Sequence, residues 1–191
     1  AGGVIIDGNV VTGGTATQDT GEQKTEQRSL TSYNAVEIHG VPGEFLLQVG
    51  EKHTAVVTAD SAVVPLIDTV VNSGTLKVRL SGSLATNAPV QVRLGVEELS
   101  SVSVNGVADV VIEGLHSKKL QLSAKGTASI MANGTVDELQ AVVVDSGELM
   151  LKGLVAKKCT VTANGVGNAV IHTVDALTAR AGGASNIIYY G

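Results

Sequence analysis

Two carboxylate pairs, Asp109 with Glu113 and Asp145 with Glu148, are the residues best suited to chemistry in this chain. Cleaving a polysaccharide needs clustered carboxylates, usually helped by Arg, Lys or bound calcium, in a groove that holds the sugar. Asp109 and Asp145 belong to turns, and Glu113 and Glu148 fall on or near outward strand positions, so ordinary solvated surface accounts for all four. Aromatic groups that could stack on sugar rings are few: Tyr33, Phe45, Tyr189 and Tyr190. The histidines His39, His53, His116 and His172 recur at no common position, so they form no column able to hold a metal. No catalytic, cofactor-binding or metal-binding residue is expected, and no cofactor.

Cys159 is the one cysteine, which excludes an internal disulfide and any multi-cysteine metal site. It occupies a position held by Leu99, Leu120, Leu139 and Leu177 in neighbouring repeats, so it reads as core rather than nucleophile. Asn133-Gly134-Thr135 matches a glycosylation sequon by chance.

The elements that position these residues follow from an internal repeat. Anchors at Asn105, Lys125, Asp145, Asn164 and Gly182, each at a Gly- or Ser-containing turn, are spaced by 20, 20, 19 and 18 residues. Three positions before them stand Val102, Leu122, Val142, Val161 and Ala179, and one before stand Val104, Ala124, Val144, Ala163 and Ala181. After the turns come Val110/Ile112, Ile130/Ala132, Leu149/Leu151, Ala169/Ile171 and Ile187/Tyr189, and a further apolar column is read in Leu115, Val136, Leu154 and Val174. Period-2 alternation within each segment signals strands, and the longer period signals that one coil stacks on the next. Gly106, Gly126, Gly147, Gly165 and Gly183 fall where such a coil must bend, often in backbone closed to residues with a Cβ. No lysine-bearing phosphate loop accompanies them.

A second register mark is a set of charged pairs: Glu97-Glu98, Lys118-Lys119, Asp137-Glu138 and Lys157-Lys158, continued by Asp175. The sign alternates coil by coil, so stacked strands should set opposite charges against each other along one outer edge, with Lys118 and Asp137 on the same face. The pattern therefore predicts an all-β fold: a single-stranded, right-handed parallel β-helix with coils of about 20 residues.

The N-terminal half is less regular. Val36, Ile38, Phe45 and Leu47, then Val56, Val57 and Ala59, read as strands, and 61–68 with Pro65 reads as a short helix or bulging loop with Asp60 as an N-cap. Residues 13–29 are polar and read as an extended loop or linker, and Val4 to Val11 as a strand on the first coil. The expected organisation is an N-terminal strand and polar linker over 1–27 and a β-helix domain over 28–191.

Composition narrows the function. The 191 residues are 43% hydrophobic and 16% charged with 23 glycines, so small aliphatic side chains must fill thin layers. The net charge of −5 comes without a basic tract or a basic-aromatic surface, which argues against nucleic acid. No run reaches the length of a transmembrane segment, and the Ala1-Gly2-Gly3 start reads as a processed or trimmed terminus. Tyr189 and Tyr190 would cap the last coil or offer an assembly surface, making a homo-oligomer through that coil possible.

Between about Gln27 and Gly191 the sequence resembles the head GIN domain family of putative autotransporter adhesins from bacteria. The resemblance rests on Arg28-Ser29-Leu30 leading to Tyr33-Asn34-Ala35-Val36-Glu37-Ile38 and on Gly74-Thr75-Leu76-Lys77-Val78. It rests also on glycine turns such as Asn105-Gly106-Val107-Ala108-Asp109-Val110 and on the ending Asn186-Ile187-Ile188-Tyr189-Tyr190-Gly191. It implies a right-handed parallel β-helix, extracytoplasmic placement in the periplasm, outer membrane or surface of a Gram-negative bacterium, often a lipid-anchored or secreted context, and no catalytic residues. The expected function is a non-enzymatic cell-envelope or surface module with an adhesin-like or structural role, binding a protein or glycan partner. The alternatives are a carbohydrate-active enzyme or polysaccharide-binding protein using Asp109, Glu113, Asp145 and Glu148, and a periplasmic assembly or signalling module.

Overall fold

The computed structural model describes residues 4–6, 9–11, 17–84 and 89–191. Its described strands are β1 (Val4–Ile6), β2 (Asn9–Val11), β3 (Gln23–Ser29), β4 (Ala35–His39), β5 (Gly43–Val49), β6 (Thr54–Asp60), β7 (Ile67–Asn72), β8 (Thr75–Leu80), β9 (Gln91–Val96), β10 (Ser101–Gly106), β11 (Ala108–Gly126), β12 (Ser129–Asp145), β13 (Glu148–Ala163), β14 (Asn168–Ala181) and β15 (Asn186–Tyr190). One 3₁₀ turn, Val64–Leu66, joins β6 to β7. Thirteen of the strands form one curled, mixed sheet, while β1 pairs only with β2, antiparallel, rather than joining a first coil.

From β10 onward every ladder is parallel and long. Val102, Leu122, Ala141, Val161 and Ala179 stand in register, at offsets of 20, 19, 20 and 18 residues, and Val110, Ile130, Leu149, Ala169 and Ile187 repeat the same offsets. Each pass sends its inward side chains onto those of the pass before, so small aliphatic residues are buried column by column. One column lies one residue away from its expected place. Ala141 and Val143 are buried, whereas Val142 and Val144, read as core from the sequence, turn outward. Leu115 and Leu154 flank Gly134 in register, and the buried Val136 instead aligns with Ser117, Ala156 and Thr173 after a bulge in each strand. Val174, Ala179, Ala181 and Tyr189, expected in the apolar columns, are exposed on β14 and β15.

The corner column also differs in one member. Gly106, Gly126, Gly165 and Gly183 have φ of 126°, 88°, 90° and 72°, but in the third pass the left-handed corner residue is Asp145, at 64°, rather than Gly147.

The N-terminal half mixes directions. β4 and β5 are parallel to β10 and β11, and β8 is parallel to β4, whereas β7 runs antiparallel to β8, and β6 antiparallel to both β3 and β9. A two-residue hairpin links β7 to β8 through backbone with positive φ, Ser73 and Gly74 at 49° and 76°. The polar stretch expected as linker over 13–29 contains β3, an edge strand whose Arg28 reaches the 3₁₀ turn, bonding the carbonyls of Ile67 and Val64 (3.1 Å to the latter) and the Thr69 hydroxyl (3.1 Å). Asp60 does not cap that turn, which begins after Val63. Its buried carboxylate instead accepts from the N–H groups of Thr20, Gly21 and Ala62, each at 2.9 Å, and from the Thr20 hydroxyl.

Candidate functional site

The outward residue between the two inward residues of a strand is normally polar. Here it is apolar in six successive passes: Leu46 lies between Phe45 and Leu47, Val111 between Val110 and Ile112, Met131 between Ile130 and Ala132, and so on through Met150, Val170 and Ile188. The ladders place these six in one continuous register, so they form a single stripe across the outer face, about 24 Å long at the usual strand spacing. Met131, Met150 and Ile188 are 41%, 42% and 53% exposed. Contiguous exposed apolar surface with a polar rim is the pattern of an interaction face. The sequence held the signal as a repeated run of three apolar residues, but period-2 reading assigns the middle one to solvent and stops there.

Polar columns border the stripe. On one side Glu44, Asp109, Ser129, Glu148, Asn168 and Asn186 are in register, with the Asn186 amide donating to Asn168 at 3.2 Å. On the other, the Lys152 ammonium of β13 sits 4.7 Å from the Tyr190 ring centroid of β15, a cation–π contact that reaches across the intervening β14. Arg93 closes the stripe beside Leu46, where a shallow depression of about 430 Å³ opens between Glu44, Asp109 and Val111.

A larger groove of about 540 Å³ lies on the edge that bears the charged pairs, lined among others by Asn34, Ser100, His116, Lys118, Thr135 and Asp137. Lys119 meets Glu138 at 3.3 Å and Lys157 meets Asp137 at 2.7 Å, so opposite signs meet at these two steps as their spacing predicts, Glu97 faces His53 instead, and Lys118 and Asp137 line the same groove. A hydrogen bond from Lys157, together with its charge, holds the Asp137 carboxyl below the ordinary carboxylate range, and the same bond raises Lys157. His116 Nδ1 lies 2.8 Å from the Thr135 hydroxyl.

The expected chemical candidates do not converge. Asp109 and Glu113 are both on β11, four residues apart, a span of about 13 Å along a strand, which exceeds the separations used by either class of glycosidase. Glu148 shares the outer column of Asp109, while Asp145 sits at the corner. Glu44, which no sequence pattern singles out, lies in the next rung to Asp109 although 65 residues separate them, and its carboxylate accepts from Gln91 at 3.4 Å on the open face. His53 packs against Tyr33 with ring centroids 5.0 Å apart and approaches Glu97 at 3.8 Å, whereas His172 Nδ1 lies 3.3 Å from the Lys152 carbonyl. Among the described residues no group of three His, Cys, Asp or Glu could hold a metal. Cys159 is buried in register with Leu139 and Leu177, and burial pushes its thiol up to about 11. No described helix is long and apolar enough to cross a membrane.

No curated protein matches the chain. Among solved structures, a "putative adhesin" from Bacteroides fragilis shares the fold with a TM-score of 0.69 at 15% identity, covering 92% of this chain and all of its own. A "putative adhesin" from Parabacteroides merdae follows with a TM-score of 0.58 at 15% identity, covering 92% of this chain and 99% of its own. A "putative lipid binding protein" from Parabacteroides distasonis has a TM-score of 0.53 at 15% identity, covering 93% and 100%. Residues 32–191 match the family described as "Putative auto-transporter adhesin, head GIN domain", so the chain belongs to that family.

Proposed function

We propose that this chain is a non-enzymatic adhesion module of the bacterial cell envelope, acting outside the cytoplasm, whose outer sheet face docks a protein partner. The observation that carries this is the stripe from Leu46 to Ile188, an apolar ladder held on a rigid sheet and bordered by polar columns. Methionines at its centre adapt to irregular partner surfaces, and the scarcity of aromatic rings on this face favours a protein over a glycan. Successive passes joined by parallel ladders at near-constant offset support coils that close as a right-handed β-helix over the body of the chain at 28–191, since parallel crossovers take that hand.

Beads coated with the chain, and with a Met131→Asp/Met150→Asp variant, would be tested on panels of immobilised extracellular proteins and polysaccharides. Wild-type adherence to a protein surface should fall at least about tenfold in the variant while its melting temperature stays close, since both side chains are already partly in water. Equal adherence of the two, or cleavage of a polysaccharide that is lost in Asp109→Asn, would overturn the reading.

A further inference from the structure

Asn-Gly pairs occur at 105–106, 133–134 and 164–165, and the fold treats them differently. An asparagine followed by glycine can react with itself. The backbone nitrogen of the glycine attacks the side-chain amide carbon, and the missing Cβ leaves that nitrogen open to approach. The attack needs the peptide between the two residues to swing out of line, so a paired strand resists it through the hydrogen bonds that would have to break.

Two of the pairs are held in this way. Asn105 and Gly106 lie half-buried on β10, with Lys125 and Gly126 in register on one side and His39 beside Asn105 on the other. The Asn105 carbonyl also accepts from the Gly40 N–H at 3.0 Å. Asn133 is exposed on β12, but Gly134 is in register with Leu115 in the pass before and Leu154 in the pass after. A Cβ on Gly134 would come 2.1 Å from the Leu115 carbonyl oxygen, so this peptide has no room to swing.

The third pair is not held. β13 ends at Ala163 and β14 begins at Asn168, so Asn164 and Gly165 stand exposed at the corner, outside either ladder. The groups on either side are anchored, the Asn164 N–H to the Val143 carbonyl at 2.9 Å and the Val166 N–H to the Asp145 carbonyl at 2.8 Å. Between them the Gly165 N–H makes no hydrogen bond among the described residues, and neither does the Asn164 side-chain amide. That amide lies over Gly182, where no side chain pins it. The reacting nitrogen and the reacting carbon are both free in the folded chain.

We propose that Asn164 is a self-modification site whose conversion loosens the corner between β13 and β14. The Gly165 nitrogen bonds to Asn164 Cγ, and the amide leaves as ammonia with the Gly165 N–H proton, giving a cyclic imide. Water then opens the ring. Attack at the side-chain carbonyl leaves aspartate; attack at the main-chain carbonyl leaves isoaspartate, whose main chain is longer by one methylene. The net change is amide and water to carboxylate and ammonium. Either product sets a new carboxylate at the corner that holds Asp145, over which Gly165 lies. The isoaspartate also lengthens the chain between the bonds to Val143 and Asp145, so the two cannot both keep their geometry.

Peptide mapping by mass spectrometry tests this on the 191-residue chain, held folded in mildly alkaline water labelled with heavy oxygen, which enters each product as the ring opens. In the folded chain Asn164 should convert at least about tenfold faster than Asn105 or Asn133, giving both aspartate and isoaspartate. In urea the three rates should agree within about threefold, because the fold no longer distinguishes them. The converted chain, separated by ion exchange, should melt several degrees below the unconverted one, while Asn164→Gln, whose longer side chain disfavours ring closure, should keep its melting temperature through the same incubation. Conversion of Asn105 or Asn133 as fast as Asn164 in the folded chain, or the same preference in urea, would overturn the proposal. So would an Asn164 that stays intact while the denatured chain reacts, or a converted chain as stable as the unconverted one.

Discussion

Gly165 lies directly over Asp145 at a corner where both residues hold left-handed backbone, and a Cβ on Gly165 would sit 2.7 Å from the Asp145 carbonyl oxygen. The same corner is therefore strict in one pass and permissive in the one before. Asp145 already carries a Cβ at φ 64°, in a conformation that Asp tolerates better than most residues. Gly165→Ala adds backbone crowding to a φ of 90°. It should cost about 1–3 kcal/mol, a loss of several degrees in melting temperature, whereas Asp145→Ala should cost under about 1 kcal/mol. Thermal unfolding of the two variants side by side decides it, and equal losses would mean that the crowding relaxes freely.

Asp60 gives the fold an acid limit. Burial alone would raise its carboxyl, but the N–H groups of Ala62, Thr20 and Gly21 and the Thr20 hydroxyl outweigh burial and hold it below the ordinary carboxylate value. A group whose pKa is lower folded than unfolded stabilises fully above its unfolded value, near 3.9 for Asp, and loses that contribution as pH falls through its folded value. Urea midpoints should therefore drop as pH falls below about 4. Asp60→Asn should lower stability at neutral pH and flatten that acid limb. An unchanged pH profile in the variant would assign the limb to other carboxylates.

The Cys159 thiol should be silent in the native state. It is buried and pushed up to about 11, so neither access nor thiolate is available near neutral pH. Ellman's reagent should label it only as fast as the chain opens, and in denaturant at the rate of a free thiol. Fast native labelling would show that the layers around Leu139 and Leu177 open locally.

The interlocked charges predict a salt effect. Lys157→Glu would set a second carboxylate beside Asp137 and Asp175, so stability should fall in dilute buffer and recover much of the loss at about 1 M salt, where screening acts within about 3 Å. A loss independent of salt would point to packing by the lysine stem instead.

The repeat was legible because each pass is punctuated: glycine corners at 106, 126, 165 and 183 and charged pairs of alternating sign fix the period without reference to the core. Phase was harder than period. Ala141 to Val144 is an unbroken apolar run, so either alternate set could face inward, and only the hydrogen-bonded register of Leu122 with Ala141 selects Ala141 and Val143. In the N-terminal half β6 was legible from Val56, Val57 and Ala59, but β3 escaped the same reading because it is polar and edge-bound, with its anchoring carried by one arginine rather than by a hydrophobic pattern. The apolar stripe was hidden for a related reason: it exists only once passes 20 residues apart are laid side by side, when Met131 and Met150 become neighbours.

Uniform ladders between two dissimilar ends make length a free variable. Each pass meets its neighbours through the same kinds of residue, so duplicating one 20-residue unit between Gly126 and Gly165 would leave the arginine-anchored end and the final strand untouched. The face would grow by one strand spacing, about 4.8 Å. The length of the outer face would thus be set by counting units, with no new solution to folding required at either end.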